Sequence, residues 1–403
     1  MEVPARGRSL VRGIGRGDLV AFAINSVVGS GIFGLPAVLF ALVGRMSILA
    51  FVAAAIIVSL ITLCFAEVGS GFAETGGPYL YALHSFGPAI GFQIGWLLWV
   101  ARLFGFAAVI NLFLNYAAWF APALEKGVWR NVGAGLILVI LTAINLTGVK
   151  RAARVGTVLT IGKLIPLCLF VAIGAFYIEG SRILPLNSIA LPSLWSGVLL
   201  AIYAFSGFEV LGVPGGEIRD PARAIPFALI TALVIVTLIY FGVQVVTVGT
   251  LADPGVSPRP LADAAFANVG RVGATVMVLG AMISTLGVGH AIVLAAARFP
   301  YAMAERGQLP AFFASVHPVY RTPWVGILIS AGCMLIFTLA TSFTSAATFT
   351  VEIRVLTYLA TCAALPVLRR RPARQPSAFR VAGGDVVAGL CVLICIALIL
   401  SRP

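Results

Sequence analysis

The chain has 403 residues, 60% hydrophobic and 10% charged, with a mean hydropathy of +1.06. Soluble domains carry about 25% charged residues, so no aqueous globule could hide this much apolar surface, and a soluble enzyme is excluded. The net charge of +13 would suggest nucleic acid if it formed one patch, but the basic residues are spread between apolar runs, the pattern of membrane topology.

Eleven apolar runs are long enough to cross about 30 Å of hydrocarbon at about 1.5 Å per residue. They are predicted at 18–43, 46–66, 88–120, 132–149, 155–178, 193–213, 224–249, 270–297, 323–342, 347–368 and 383–401. The first is too long for a cleavable signal peptide and is expected to be a true span. With the N-terminal tail (Arg6, Arg8, Arg12, Arg16) inside, seventeen of the 27 basic residues fall in inside segments, including Lys150, Arg151, Arg154, Arg374 and the run Arg369 to Arg371. Eight fall outside, among them Arg130 and Arg354, and Arg102 and Lys163 lie within spans. The positive-inside rule then predicts a multi-pass protein of the cell (plasma) inner membrane, with a cytoplasmic N-terminus and Pro403 external. The six cysteines all lie in apolar runs without CxxC or metal spacing, so they read as small core residues and no metal is expected.

The first and sixth runs are interrupted in a related way. One reads Gly29-Ser30-Gly31-Ile32-Phe33-Gly34 and then Pro36; the other reads Phe205-Ser206-Gly207-Phe208-Glu209, followed by Gly212, Pro214 and Gly216. Glycine and proline disfavour a regular helix in mid-span. The two lie five spans apart, so they occupy matching places in two halves of opposite orientation, 18–178 and 193–368, with 1–17 a cytoplasmic tail and 383–401 an additional helix. Paired interrupted helices of this kind point to the binding site of an inverted-repeat transporter. The predicted fold is an all-α polytopic membrane protein with a five-plus-five core, broken helices 1 and 6, and one extra C-terminal helix. Residues 67–87 are expected to form an inside segment with helical pieces, and 250–269 an outside loop that caps the entrance.

A broken helix end at Gly29, Ser30 and Gly31 exposes backbone N–H groups whose dipole favours an anion such as a carboxylate. The same residues also belong to a ridge of small side chains, Ser26, Ser30 and Gly34, suited to close helix packing. The spelling GxGxxG at Gly29, Gly31 and Gly34 has no preceding soluble strand and no acid before Glu67, so a dinucleotide site does not follow. Among the ionisable residues inside spans, Arg102, Lys163 and Glu209 are the ones read as marking function. Arg102 must be paired or face water, and either pairs with Glu209 or contacts substrate; the pair is the expectation, because Glu209 needs a partner with no substrate bound. His290 reads as a hydrogen-bonded core residue, and Glu217, Arg219, Asp220 and Arg223 as an inside loop, latched or merely solvated.

Several motifs in order resemble the amino acid, polyamine and organocation superfamily of transporters. They are Gly29-Ser30-Gly31-Ile32-Phe33, Glu74-Thr75-Gly76-Gly77-Pro78-Tyr79, Ile144-Asn145-Leu146-Thr147-Gly148-Val149-Lys150, Phe205-Ser206-Gly207-Phe208-Glu209, the stretch from Gly216 to Pro226, and Arg298 through Pro310. Many members have twelve spans where eleven are counted here. The resemblance implies alternating-access import of an amino acid by proton symport, with the substrate, a coupling proton and the lipid bilayer as partners and no cofactor; amino acid or polyamine exchange is the alternative on the same fold, and oligomeric state is open. It implies that carbonyls around Ile24 and around Phe205, Ser206 and Gly207 receive the substrate ammonium group, that Tyr203 lids the site, and that Glu209 senses protons or gates. It also implies that Lys163 stands where sodium-coupled cousins bind a cation, with Ser284 or Thr285 as its hydroxyl partner.

Overall fold

The computed structural model describes residues 15–72, 76–146, 149–184, 191–212, 218–320, 322–371 and 379–400, without the side chains of 149–161 and 191. Arg6, Arg8, Arg12, Glu74, Thr75, Glu217, Arg374 and Pro403 lie outside the described residues, as do the side chains of Lys150, Arg151 and Arg154. Regular structure among the described residues is almost wholly helical: α1 (Arg16–Val27), α2 (Ser30–Val43), α3 (Ser47–Ser70), α4 (Pro78–Phe86), α5 (Pro88–Ala117), α6 (Val128–Leu146), α7 (Val149–Gly174), α8 (Gly180–Ile183), α9 (Leu191–Phe205), α10 (Pro221–Thr250), α11 (Pro260–Ala296), α12 (Arg298–Glu305), α13 (Trp324–Ala340), α14 (Phe343–Arg369) and α15 (Gly384–Leu400).

Each predicted apolar run falls on one of these helices, the first divided between α1 and α2. By length and apolarity, seven helical stretches among the described residues suffice to cross a bilayer, the first being the run 16–70 that holds α1, α2 and α3; shorter apolar helices occupy 162–177, 324–340 and 384–400. Large apolar side chains point outward along them, including Val128, Leu136 and Val139 on α6, Leu238 on α10, Ile336 on α13 and Leu393 on α15. An apolar exterior over helices that satisfy their own backbone is what a bilayer requires. This is a multi-pass membrane protein.

Inside the bundle, α5 is buried along most of its length from Leu98 to Ala117 and packs against α11 and α14. On the other side α3 packs against α10, and α7 against α11, where a Cβ added at Gly280 would come within 2.8 Å of Pro166. The segment 67–87, expected to carry helical pieces, contains the helix α4. One expectation is corrected: residues 260–268 of the predicted 250–269 loop are helical, because Pro260 starts α11 and Asp263 in its first turn accepts the Ser257 hydroxyl at 2.5 Å, and the helix breaks only at Val269 and Gly270. The remaining turn at Pro254–Val256 packs on α2 near Ala41.

One ion pair, its carboxylate buried and its guanidinium partly exposed, joins three helices. Glu67, 3% exposed at the end of α3, accepts two 2.7 Å hydrogen bonds from Arg369 of α14 and a third from the Val381 N–H at 2.8 Å. Arg369 also faces Asp385 of α15 at 3.5 Å. The arginine read as a topology anchor is therefore also a structural tie. Removing one partner of a buried pair leaves an uncompensated charge, so Arg369→Ala is expected to lower stability by about 3 kcal/mol, read from thermal unfolding in detergent. The double variant Glu67→Gln/Arg369→Met is expected to recover most of that loss; a double variant no better than the single one would remove the pairing as the cause.

Candidate functional site

The helix of the first span stops at Val27 and restarts at Ser30. The break exposes carbonyls at the end of α1 and N–H groups at the start of α2, neither of which has a helical partner. In an apolar medium such groups must be satisfied elsewhere. The Lys163 ammonium of α7, 1% exposed, donates to the carbonyls of Asn25 at 2.7 Å and Val28 at 2.6 Å. The Tyr240 hydroxyl of α10 donates to the Val27 carbonyl at 3.1 Å, and the Ile24 carbonyl is engaged by the Val28 N–H at 2.8 Å. Neither expected hydroxyl partner bonds Lys163 among the described contacts: Thr285 donates to carbonyls of its own helix, at Ala281 and Met282, and the buried Ser284 hydroxyl has no partner.

The second break follows Phe205 at the end of α9, after which residues 208–212 form a short 3-10 turn. Gly207 sits at φ +126, and any Cβ there would collide with the Ser26 carbonyl of α1. Only glycine permits that backbone approach. The two breaks also meet through side chains, since the hydroxyls of Ser30 and Tyr203 lie 2.8 Å apart. Ser206 turns back to the Tyr203 carbonyl at 2.6 Å, while Phe205 packs between Phe51 and Tyr240.

Glu209 projects from this second break into the bundle and is 3% exposed. Its carboxylate accepts from the Gly207 N–H at 2.8 Å, from the Tyr358 hydroxyl at 3.2 Å and from Arg354 at 2.7 Å. Arg102 Nη2 lies 4.0 Å from the same oxygen that Arg354 holds. The expected Arg102–Glu209 pair is present as a 4.0 Å contact, but the hydrogen-bonded counter-ion is Arg354. Counting alternate segments placed Arg354 outside, but α14 begins at Phe343, which puts this residue about 16 Å along the helix at about 1.5 Å per residue. It falls inside the predicted run 347–368 as well, and nothing along the chain shows which partner its long side chain will reach.

The remaining expected residues fall into place around these. Gly29 caps α2, and Gly31 is pressed against α9, where a Cβ would lie 2.6 Å from the Ala204 Cα. His290 meets Asn145 at 3.2 Å in the core, and Asp220 makes only a half-exposed pair with Arg16 at 3.8 Å, worth little. Sequence spacing showed no metal set, yet the fold brings the sulfurs of Cys64, Cys362 and Cys391 within 4.8 Å of one another at the junction of α3, α14 and α15; three thiols so placed could hold a soft cation. An apolar groove of about 280 Å³ between α3 and α10, lined by Ser59, Thr62 and Leu233, touches neither break.

A model of the amino acid permease family matches residues 14–401. The chain belongs to that family. Across 100% of its length the permease is 27% identical to the methylthioribose transporter of Bacillus subtilis, covering 91% of that protein. It is 29% identical to the serine/threonine exchanger SteT of the same organism over 90% of its own length and 84% of the relative's, and 26% identical to the branched-chain amino acid permease BcaP over 98% and 89%. These relatives are transporters. In this permease the close packing of Gly31 on Ala204 leaves no room for a side chain, so Gly31→Val is expected to lose folded, monodisperse protein together with substrate binding. Size-exclusion chromatography with a binding assay checks this; a well-folded variant would show that the contact with Ala204 does not constrain this position.

Proposed function

We propose that this permease imports amino acids by alternating access, with proton symport as the driving reaction. The observation that carries the reading is the contact of two interrupted helices, Ser30 with Tyr203 and Ser26 with Gly207, in a chain of the amino acid permease family. Interrupted helices that meet at mid-bilayer present N–H groups and carbonyls to a substrate where hydrocarbon would otherwise forbid irregular backbone. In this reading 18–178 and 193–368 are inverted five-helix repeats, 383–401 is an eleventh span, and 1–17 is a tail on the cytoplasmic side of the cell membrane. The substrate α-carboxylate is bound by the N–H groups of Gly29, Ser30 and Gly31, and its ammonium group by carbonyls near Ile24 and at Phe205, Ser206 and Gly207. Tyr203 closes over it.

Lys163 is the proposed proton carrier. Protonated, it bridges the carbonyls at the α1 break to α7; giving up the proton weakens both hydrogen bonds and frees α1 to move, which couples the proton to the conformational change. The second reading is obligate exchange, favoured by the similarity to an exchanger. Proteoliposomes separate the two. With no amino acid inside and an inside-alkaline pH gradient, net accumulation is expected in the wild type, and accumulation only after preloading would establish exchange. Lys163→Ala is expected to lose gradient-driven accumulation while retaining exchange between preloaded vesicles and medium, and undiminished proton-driven uptake in that variant would remove Lys163 from the mechanism.

A further inference from the structure

The charges around Glu209 do not balance. Two guanidinium groups, Arg102 of α5 and Arg354 of α14, face one carboxylate. Their side chains are 10% and 7% exposed, and that of Glu209 2%. The cluster therefore carries one uncompensated positive charge in the interior of a membrane protein, where an unpaired charge is expensive. Glu209 cannot serve both arginines equally. One of its oxygens is held by Arg354 at 2.7 Å, and the other by the Gly207 N–H and the Tyr358 hydroxyl.

Arg102 is left with a long contact only. At 4.0 Å from Glu209 it lies beyond hydrogen-bond range, and among the described residues its guanidinium makes no hydrogen bond. Elsewhere the fold treats arginine differently. Arg130 is anchored by the carbonyls of Leu124, Glu125 and Asn111 and by the Asn111 side chain, and Arg369 grips Glu67 with two bonds. A guanidinium presents five N–H donors in a fork that matches a carboxylate. Held near the Gly207 break with its donors unused and its charge unmatched, Arg102 has the chemistry of a receptor for an anionic group that arrives from outside the protein.

We propose that Arg102 receives the side-chain carboxylate of an acidic amino acid, so that the substrates of this permease are of the aspartate and glutamate class. This rests on the amino acid reading of the two helix breaks, which assigns the α-carboxylate and ammonium group to backbone atoms and leaves Arg102 for a second anion. Arg354 keeps Glu209 neutralised during the cycle, and the guest carboxylate neutralises Arg102. The amides asparagine and glutamine have nearly the same shape as the acids but no charge, so they isolate this interaction.

The test measures binding to the detergent-purified full chain, using aspartate, glutamate, asparagine, glutamine, serine and leucine as ligands, with inorganic chloride varied separately. The wild type is expected to favour glutamate over glutamine, or aspartate over asparagine, by at least about thirtyfold, the range found when one partner of a buried charge pair is removed. In Arg102→Gln that ratio is expected to fall to near one, and in Arg102→Lys, which keeps the charge without the fork, to an intermediate value; thermal unfolding and size exclusion show that each variant is folded. Equal affinity for acids and amides in the wild type would overturn the proposal, as would loss of all six ligands alike in a folded Arg102→Gln, which would assign Arg102 to the α-carboxylate. Selectivity abolished by chloride exchange with no acid preference remaining would overturn it in favour of an inorganic anion. If serine or leucine binds and the acids do not, the acidic substrate class fails while the amino acid reading stands; if none of the six binds, the amino acid reading itself fails.

Discussion

Backbone polar groups in a bilayer have no water to fall back on, and the architecture of this permease turns on how it satisfies them where a helix is broken. The gap between Val27 and Ser30 would strand carbonyls and N–H groups in the bundle interior. Lys163 and Tyr240 reach in from α7 and α10 to take the carbonyls of Asn25, Val28 and Val27. The break thereby becomes a defined structure. The groups that secure it are a charged lysine and a tyrosine hydroxyl, from two different helices.

The second break is secured by charge. Its backbone N–H at Gly207 is taken by Glu209 two residues on, and Glu209 is then fixed by Arg354 and Tyr358 from α14. Through Phe208, whose ring lies against both Phe65 of α3 and Tyr358, the same region is bound to the helix that carries Glu67. The two ion pairs of α14, at Arg354 and Arg369, sit at different heights of one helix and tie it to the α9 break and to α3. Movement of α14 would therefore strain both.

Much of this was legible in the residues. Apolar length located every helix that carries the core, because the energetic demand of a bilayer is averaged over about twenty positions and tolerates local error. Glycine marked both interruptions, at Gly29 and Gly207, because its backbone preference acts locally, whereas Pro36 lies inside α2 and Pro214 outside the described residues. Lys163 and Glu209 stood out because a charge within an apolar run is costly wherever it falls. The partners were not legible. Arg354 was counted with the outside segments, Glu67 showed no sign of Arg369, and Cys64, Cys362 and Cys391 lie far apart along the chain although their sulfurs approach within 4.8 Å.

The sequence by itself determined the membrane class, the family motifs, the places where helices must break and the side chains that have to find a counterpart, since each follows from the composition of a short stretch. Tertiary structure alone decided which counterpart each one found. Whether Glu209 is matched by Arg102 or by Arg354 depends on a difference between 4.0 Å and 2.7 Å, set by how α5 and α14 pack beside the end of α9. Hydrogen bonding and ion pairing fall off within about an ångström of their optimum, and no pattern along one chain carries distances that fine between helices more than a hundred residues apart.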